Sequence, residues 1–311
     1  MRTPHPRHPD PVHPDLRWAA RLAPQRLVRP RSLPLMRLAD GLARNRPRRG
    51  VEITDLPGGA GVRVHRPAVR DRAVPGILWL HGGGQLFGTA AQDDAVCRHL
   101  ADRLGAVVVA VDYRLAPEHP WPAGLDDAYE ALAWTAGLPE VDAARLVVAG
   151  ASAGGGMAAS VALRARDRGR PELAAQLLVY PMLDDRTDGS DPAHYPGQDP
   201  SVLRVWDAAA NRFGWASYLA GAGEAHPEAA VPARAASLAG LPPTWIGVGS
   251  HDLFHDEDLA YAARLTADGV PCQLEVVPGA FHGFDRLGTD VGRGFTESGC
   301  VFLERVLSGA R

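Results

Sequence analysis

Short apolar runs separated by glycine-rich or polar turns, and by stretches with helical spacing, recur from the first quarter of the chain to its end. Residues 77–80, 106–111, 146–149, 173–180, 245–248 and 273–277 read as buried strands because several apolar, often β-branched residues follow one another without a polar break. Between and after them, residues 93–104, 125–136, 155–163, 258–267 and 295–307 have the spacing of helices. Upstream, residues 51–54 and 62–65 flank Pro57-Gly58-Gly59-Ala60-Gly61, which predicts a β-hairpin. Strands alternating with helices predict an α/β fold with a mostly parallel central sheet and helices on both faces. From Leu16 to Leu42 the apolar spacing predicts one or two short helices broken at Pro24, Pro30 and Pro34. Residues 1 to about 17, rich in Pro, His and Arg, read as a mobile arm whose His5, His8 and His13 are tail residues rather than metal ligands. Residues 183–241 interrupt the alternation, first polar and loop-like, then carrying Trp206, Phe213, Trp215 and Tyr218. An insertion of that length in an α/β unit suits a lid or a binding surface.

In open parallel sheets ligands sit at the carboxyl ends of the strands, so polar residues directly after predicted strands are the candidates for chemistry. Three stand out: Ser152 after 146–149, Asp252 after 245–248 and His282 after 273–277. Ser152 lies in Gly150-Ala151-Ser152-Ala153-Gly154, a G-x-S-x-G run between a strand and a helix, where a sharp turn would hold its hydroxyl outward. A serine hydroxyl needs an imidazole to take its proton, and a carboxylate to fix the imidazole's tautomer. The order Ser, Asp, His is that of the α/β-hydrolase arrangement. For the carboxylate, Asp256, Glu257 and Asp258 compete with Asp252, but they open the next helix and read as dipole-complementing residues. Asp285, close to His282, stays an outside candidate. Such chemistry also needs donors for a developing oxyanion; His81-Gly82-Gly83-Gly84 follows a strand, and the N–H groups of Gly83, Gly84 and Ala153 would supply them.

Composition narrows the classes. The chain has 311 residues and a net charge of -3, so no basic field recruits nucleic acid or an anionic membrane. Every one of its 33 basic residues is arginine. This excludes a Schiff base, a Ser-Lys dyad and a phosphate-loop lysine. Three scattered cysteines, Cys97, Cys272 and Cys300, form no disulfide framework, and a reducing cytoplasm is the expectation. Residues 146–163 carry no charge and reach the length of a membrane span, but four glycines and many small side chains argue for strand, turn and buried helix. No cofactor or metal is called for, the expected partner is a small molecule rather than a nucleic acid, and a homodimer stays open.

Together these segments resemble the hormone-sensitive-lipase-like branch of α/β-hydrolases, which includes many microbial carboxylesterases. The resemblance runs from about residue 75. It is carried by His81-Gly82-Gly83-Gly84, Asp112-Tyr113-Arg114-Leu115-Ala116-Pro117-Glu118, Gly150-x-Ser152-Ala153-Gly154-Gly155, Tyr180-Pro181-x-Leu183-Asp184, Asp252 through Asp256-Glu257, and His282-Gly283-Phe284. It implies an α/β-hydrolase fold, a Ser152–Asp252–His282 triad and acyl-enzyme hydrolysis of esters with a small acyl group. It also implies a cap built from residues 1–50 and 185–240 over a core of residues 51–184 and 241–311. Trp206, Phe213 and Trp215 are then candidate pocket walls. The chain departs from the family at Ala151, where an aspartate is usual, and at Gln85, where a bulky apolar residue is common and a more polar acyl pocket is expected. Leu253 also follows Asp252 directly instead of one residue later. The same triad could serve an amidase or deacetylase of a specialised metabolite, and the same scaffold a non-catalytic ligand-binding protein.

Overall fold

In the computed structural model, the described residues are 11–309 apart from 27, 45, 69–72, 188–194, 196–198 and 223–227. His5 and His8 of the expected arm lie outside them. Eight strands form one sheet in the order β1-β2-β4-β3-β5-β6-β7-β8. The hairpin expected from Pro57–Gly61 joins β1 (Val51–Asp55) and β2 (Gly61–His65), and β2 pairs antiparallel with β4 (Val107–Asp112). From β4 onward all pairing is parallel: β3 (Val74–Leu80), β5 (Val141–Ala151), β6 (Ala175–Val179), β7 (Thr244–Gly249) and β8 (Cys272–Val277). Strands β3 and β5 start earlier than their apolar runs. The extra residues pair at the amino-terminal edge, where Val74 meets Val141.

Alternation along the strands sorts the core into two layers. Leu78, Leu80, Val148 and Ile246 face α4 (Ala123–Ala136), α5 (Ala153–Arg168) and α7 (His255–Ala267). Ile77, Trp79, Val147, Ala149 and Ala151 face α3 (Asp94–Leu104) and α8 (Asp290–Leu307). The uncharged stretch 146–163 is thus the end of β5 and the start of α5, and no helix among the described residues is long and apolar enough to cross a membrane.

Two segments depart from expectation. The arm docks from Pro11 on: Leu16 is fully buried against the α3/α8 layer, and the His13 N–H donates to Gly279 O at 3.0 Å. A leucine in a Pro- and Arg-rich run had an apolar layer to join. Of the amino-terminal helices, α1 spans Arg17–Leu22 and α2 spans Leu33–Arg44. Pro34 opens α2 rather than breaking it, because a helix's first N–H groups have no partner to lose. In the insertion, α6 (Ala208–Tyr218) starts at Asp207, whose side chain accepts from the Ala210 N–H at 2.8 Å. Segments 11–44 and 199–222 are tied together by an Arg26–Asp207 ion pair, by Arg204 Nε donating to Ala20 O, and by the Val205 N–H donating to Pro24 O at 2.8 Å.

Candidate active site

The carboxyl ends of β3, β5, β7 and β8 bring His81, Ser152, Asp252 and His282 to one edge of the sheet. Ser152 occupies φ 58°, ψ -123°, a backbone state costing a non-glycine residue about 1–3 kcal/mol. Three hydrogen bonds hold it there: its N–H donates to Val179 O at 2.8 Å, and its carbonyl accepts from Gly156 and Met182, both at 3.0 Å. Close approach of strand and helix makes the turn possible. A Cβ at Gly154 would fall on the carbonyl oxygens of Leu80 and His81 at the end of β3. The serine side chain is therefore presented at the mouth of the turn and left 7% exposed.

His282 Nε2 lies 3.0 Å from Ser152 Oγ, and its Nδ1 lies 2.7 Å from Asp252 Oδ2. Asp252 is fully buried, and its Oδ1 accepts from the Phe254 N–H at 3.0 Å, which leaves Oδ2 aimed at the imidazole. Edge contacts from Tyr180, at 4.7 Å between ring centroids, and Phe254, at 5.3 Å, fix the plane of the ring. The chain Asp252–His282–Ser152 can remove the hydroxyl proton while the carboxylate stabilises the imidazolium.

Three of the rival acids have other partners. Asp256 pairs with His255, and Asp285 accepts from the Tyr180 hydroxyl at 2.7 Å. Glu257 was expected to complement the α7 dipole, but it is buried and accepts from the Leu183 N–H at 2.6 Å, tying the loop after β6 to α7. Asp258 is buried with no hydrogen bond among the described residues, and burial, reinforced by Glu257 and Asp252, pushes its carboxyl well above the usual carboxylate range.

Gly83 and Gly84 line a cavity of about 230 Å³ that also reaches Ser152 and His282. Their φ values of 130° and 61° turn successive peptides, and their N–H groups enter no backbone hydrogen bond among the described residues. Ala153 is the first residue of α5, so its N–H has no intrahelical acceptor. Helix α2 clamps this loop: Arg37 Nε donates to Leu86 O at 2.7 Å, and Asp40 Oδ2 accepts from the Gly88 N–H at 2.7 Å. Tyr113 stacks on His81 at 4.3 Å and donates to its carbonyl at 2.6 Å, fixing the loop's other end.

A family model of the alpha/beta hydrolase fold matches residues 77–286. The chain belongs to the hormone-sensitive-lipase-like branch of the α/β-hydrolases. Esterase LipI of Mycobacterium tuberculosis is 40% identical to this hydrolase over 238 residues, which are 74% of this chain and 72% of that one. Ethyl acetate hydrolase of Pseudomonas putida is 33% identical over 241 residues, 73% of this chain and 72% of that one. Among solved structures, a bacterial heroin esterase superposes with a TM-score of 0.84 at 33% identity, covering 95% of this chain and 98% of that one.

Of the four residues expected around the substrate, the structure of this hydrolase places one in the cavity. Trp206 lines it, with Val205, Phe87 and Tyr180. Gln85 is buried in a left-handed conformation (φ 65°) that sends its amide beneath the loop, where Nε2 donates to Ala153 O at 3.2 Å. It ties the glycine loop to the start of α5 instead of making the pocket polar. Trp215 stacks edge-on against Tyr218 within α6, and Phe213 packs against the same core layer. Phe87, two residues beyond Gln85 along the loop, gives the cavity an aromatic wall instead. Val205 and Arg286 also line the cavity, and no sequence pattern marked them. Elsewhere, His99, Glu297 and Cys300 bring donor atoms within 4.8 Å of one another. Glu297 is already ion-paired with Arg103 at 2.9 Å, and burial pushes the Cys300 thiol up to about 12, so the group reads as a salt bridge over a buried thiol.

Proposed function

We propose that the protein is a serine carboxylic-ester hydrolase working through an acyl-enzyme on esters of small acyl groups. The observation that carries this reading is the unbroken chain from Asp252 through His282 to Ser152, at 2.7 and 3.0 Å, ending at a cavity lined by Gly83 and Gly84. Ser152 Oγ attacks the ester carbonyl as His282 Nε2 takes its proton. The N–H groups of Gly83, Gly84 and Ala153 receive the oxyanion, each such donor contributing about a hundredfold or more in rate. His282 then protonates the leaving alcohol, and water repeats the sequence in reverse to free the acid. Asp252 orients the ring and stabilises its charged form.

The size of the acyl group follows from the walls. A cavity of about 230 Å³ bounded by Trp206 and Phe87 is below the range of roughly 300–1,000 Å³ of drug-sized sites. The relatives named as an esterase and an ethyl acetate hydrolase support the same class. The division into a core and a cap belongs to this reading. It is supported by Trp206 reaching the cavity and by Arg37 and Asp40 clamping the glycine loop.

Hydrolysis of a short-chain chromogenic ester by the purified protein, reduced to background in Ser152→Ala, is the expected result. An alanine variant as active as the parent would sink the mechanism, and a parent protein inert towards every ester would favour ligand binding without catalysis.

A further inference from the structure

A second cavity, of about 320 Å³, lies on the α3/α8 side of the sheet, next to the one that holds Ser152. Four residues line both: Gln92, Ala151, Tyr180 and Arg286. Ala151 is the residue immediately before Ser152, so only a methyl group stands at that point between the two spaces. At the outer side the second cavity reaches solvent past exposed Ala95 and Gly288.

Its polar lining is paired in a way that selects for ligand chemistry. Buried Asp93 accepts from Trp79 Nε1 at 2.8 Å and from Arg286 at 2.6 Å, which neutralises its charge. Asp285 accepts from the Tyr180 hydroxyl at 2.7 Å, so one of its oxygens is already engaged, and Arg286 lies beside it. Arg286 Nη2 also donates to Gln92 O at 3.0 Å and Gln92 Nε2 to Gly82 O at 3.3 Å, which leaves the other N–H groups of these two lining side chains for a ligand. An apolar group placed here would strip water from carboxylates without replacing its hydrogen bonds. A charged group would find its counter-charge already taken. Hydroxyls, which both donate and accept, match the lining.

The side of the ester that reaches this cavity follows from the proton path. His282 Nε2 must protonate the leaving oxygen, so the alcohol departs on the histidine side. The loop after His282 supplies Asp285, Arg286 and Gly288 to the second cavity. We propose that this cavity is a leaving-alcohol subsite, reached past the methyl group of Ala151, for the uncharged, hydroxyl-rich alcohol portion of an ester such as an acylated sugar. The assignment rests on the hydrolase reading above and adds the substrate class to it.

The test compares kcat/KM for four acetates: ethyl acetate, cyclohexyl acetate, acetylcholine, and methyl 6-O-acetylglucoside. The expected order puts the glucoside at least about tenfold above cyclohexyl acetate and acetylcholine. A tryptophan on either wall of the outer cavity, Ala95→Trp on α3 or Thr296→Trp on α8, should lower the glucoside-to-ethyl-acetate ratio at least about tenfold. Melting curves show which variants fold, and the second replaces the first if one does not. Cyclohexyl acetate or acetylcholine matching the glucoside, or an unchanged ratio in a folded variant, would overturn the subsite while leaving the hydrolase reading intact. A parent enzyme inactive on all four acetates would instead remove the hydrolase reading, and the subsite with it.

Discussion

Gly84 sits where the glycine loop meets the wall of the cavity, and Gly84→Ala should fail for a reason that can be isolated. A Cβ built there would overlap Cη2 of the Trp206 indole and lie 2.7 and 2.9 Å from Cζ2 and Cζ3, where carbon atoms normally keep about 3.5–4.0 Å. The backbone is also left-handed at φ 61°, which costs a side-chain-bearing residue about 1–2 kcal/mol. Displacing a buried indole adds about 1–3 kcal/mol of overpacking, so the expected loss of stability is about 2–5 kcal/mol. The loop must shift to relieve the overlap and will carry its N–H groups off target, lowering kcat by about a hundredfold or more. Urea unfolding and kcat on a short-chain ester should be measured for Gly84→Ala, Trp206→Ala and the double variant. Removing the indole should restore part of what the alanine lost, giving a coupling of about 1–3 kcal/mol, whereas the φ penalty should persist. Strictly additive losses, or a Gly84→Ala protein as stable as the parent, would refute the steric account.

Asp252→Asn keeps the shape of the site but offers the imidazole the wrong partner. A kcat about four orders of magnitude lower is expected, measured on the same ester, and a loss below tenfold would move the orienting role elsewhere. The native chain holds a proton on Asp258 that the unfolded chain releases above about pH 4, so this side chain's contribution to stability is present at low pH and declines as pH rises towards its raised native value. Asp258→Asn removes that decline. Unfolding followed upward from about pH 4.5 should show the variant gaining on the parent, by at most about 1.4 kcal/mol per pH unit and levelling off where the native carboxyl titrates, and parallel curves throughout would contradict it. Arg37→Met deletes the donors that grip Leu86 O and Ala116 O while leaving the triad untouched. Activity should fall about tenfold or more with the shape of the pH–rate profile unchanged, and a shifted profile would show that the arginine acts through the triad instead.

The residues at the strand ends were legible because the physics that places them is local. An apolar run fixes a strand, and the polar residue after it has no other place than the sheet edge. Gln85 shows where that logic stops: its position in the chain suited a pocket wall, but a left-handed backbone turned its amide under the loop to Ala153 O, and no residue pattern carries a dihedral angle. Glu257 opens a helix, as acids often do, yet its partner is the Leu183 N–H, brought near only by the tertiary fold. Helix α6 escaped notice because Trp, Phe, Ala and Gly crowd all its faces. Asp207 as its cap was the signal available. Phe87 and Val205 reach the cavity through loop geometry alone.

The ties between residues 11–44 and 199–222 set how the specificity of such an enzyme can be altered. Val205 and Trp206 are walls of the pocket, yet the Val205 N–H is held by Pro24 O and neighbouring Asp207 by Arg26, on a segment some 180 positions earlier in the chain. Grafting a relative's 199–222 would strand Arg26 wherever the graft lacks an acid at position 207, and would free Pro24 O wherever it alters the backbone path at position 205. The two strips therefore form one heritable unit written in two places, and an exchange that respects only one of them should damage the pocket before it redirects it.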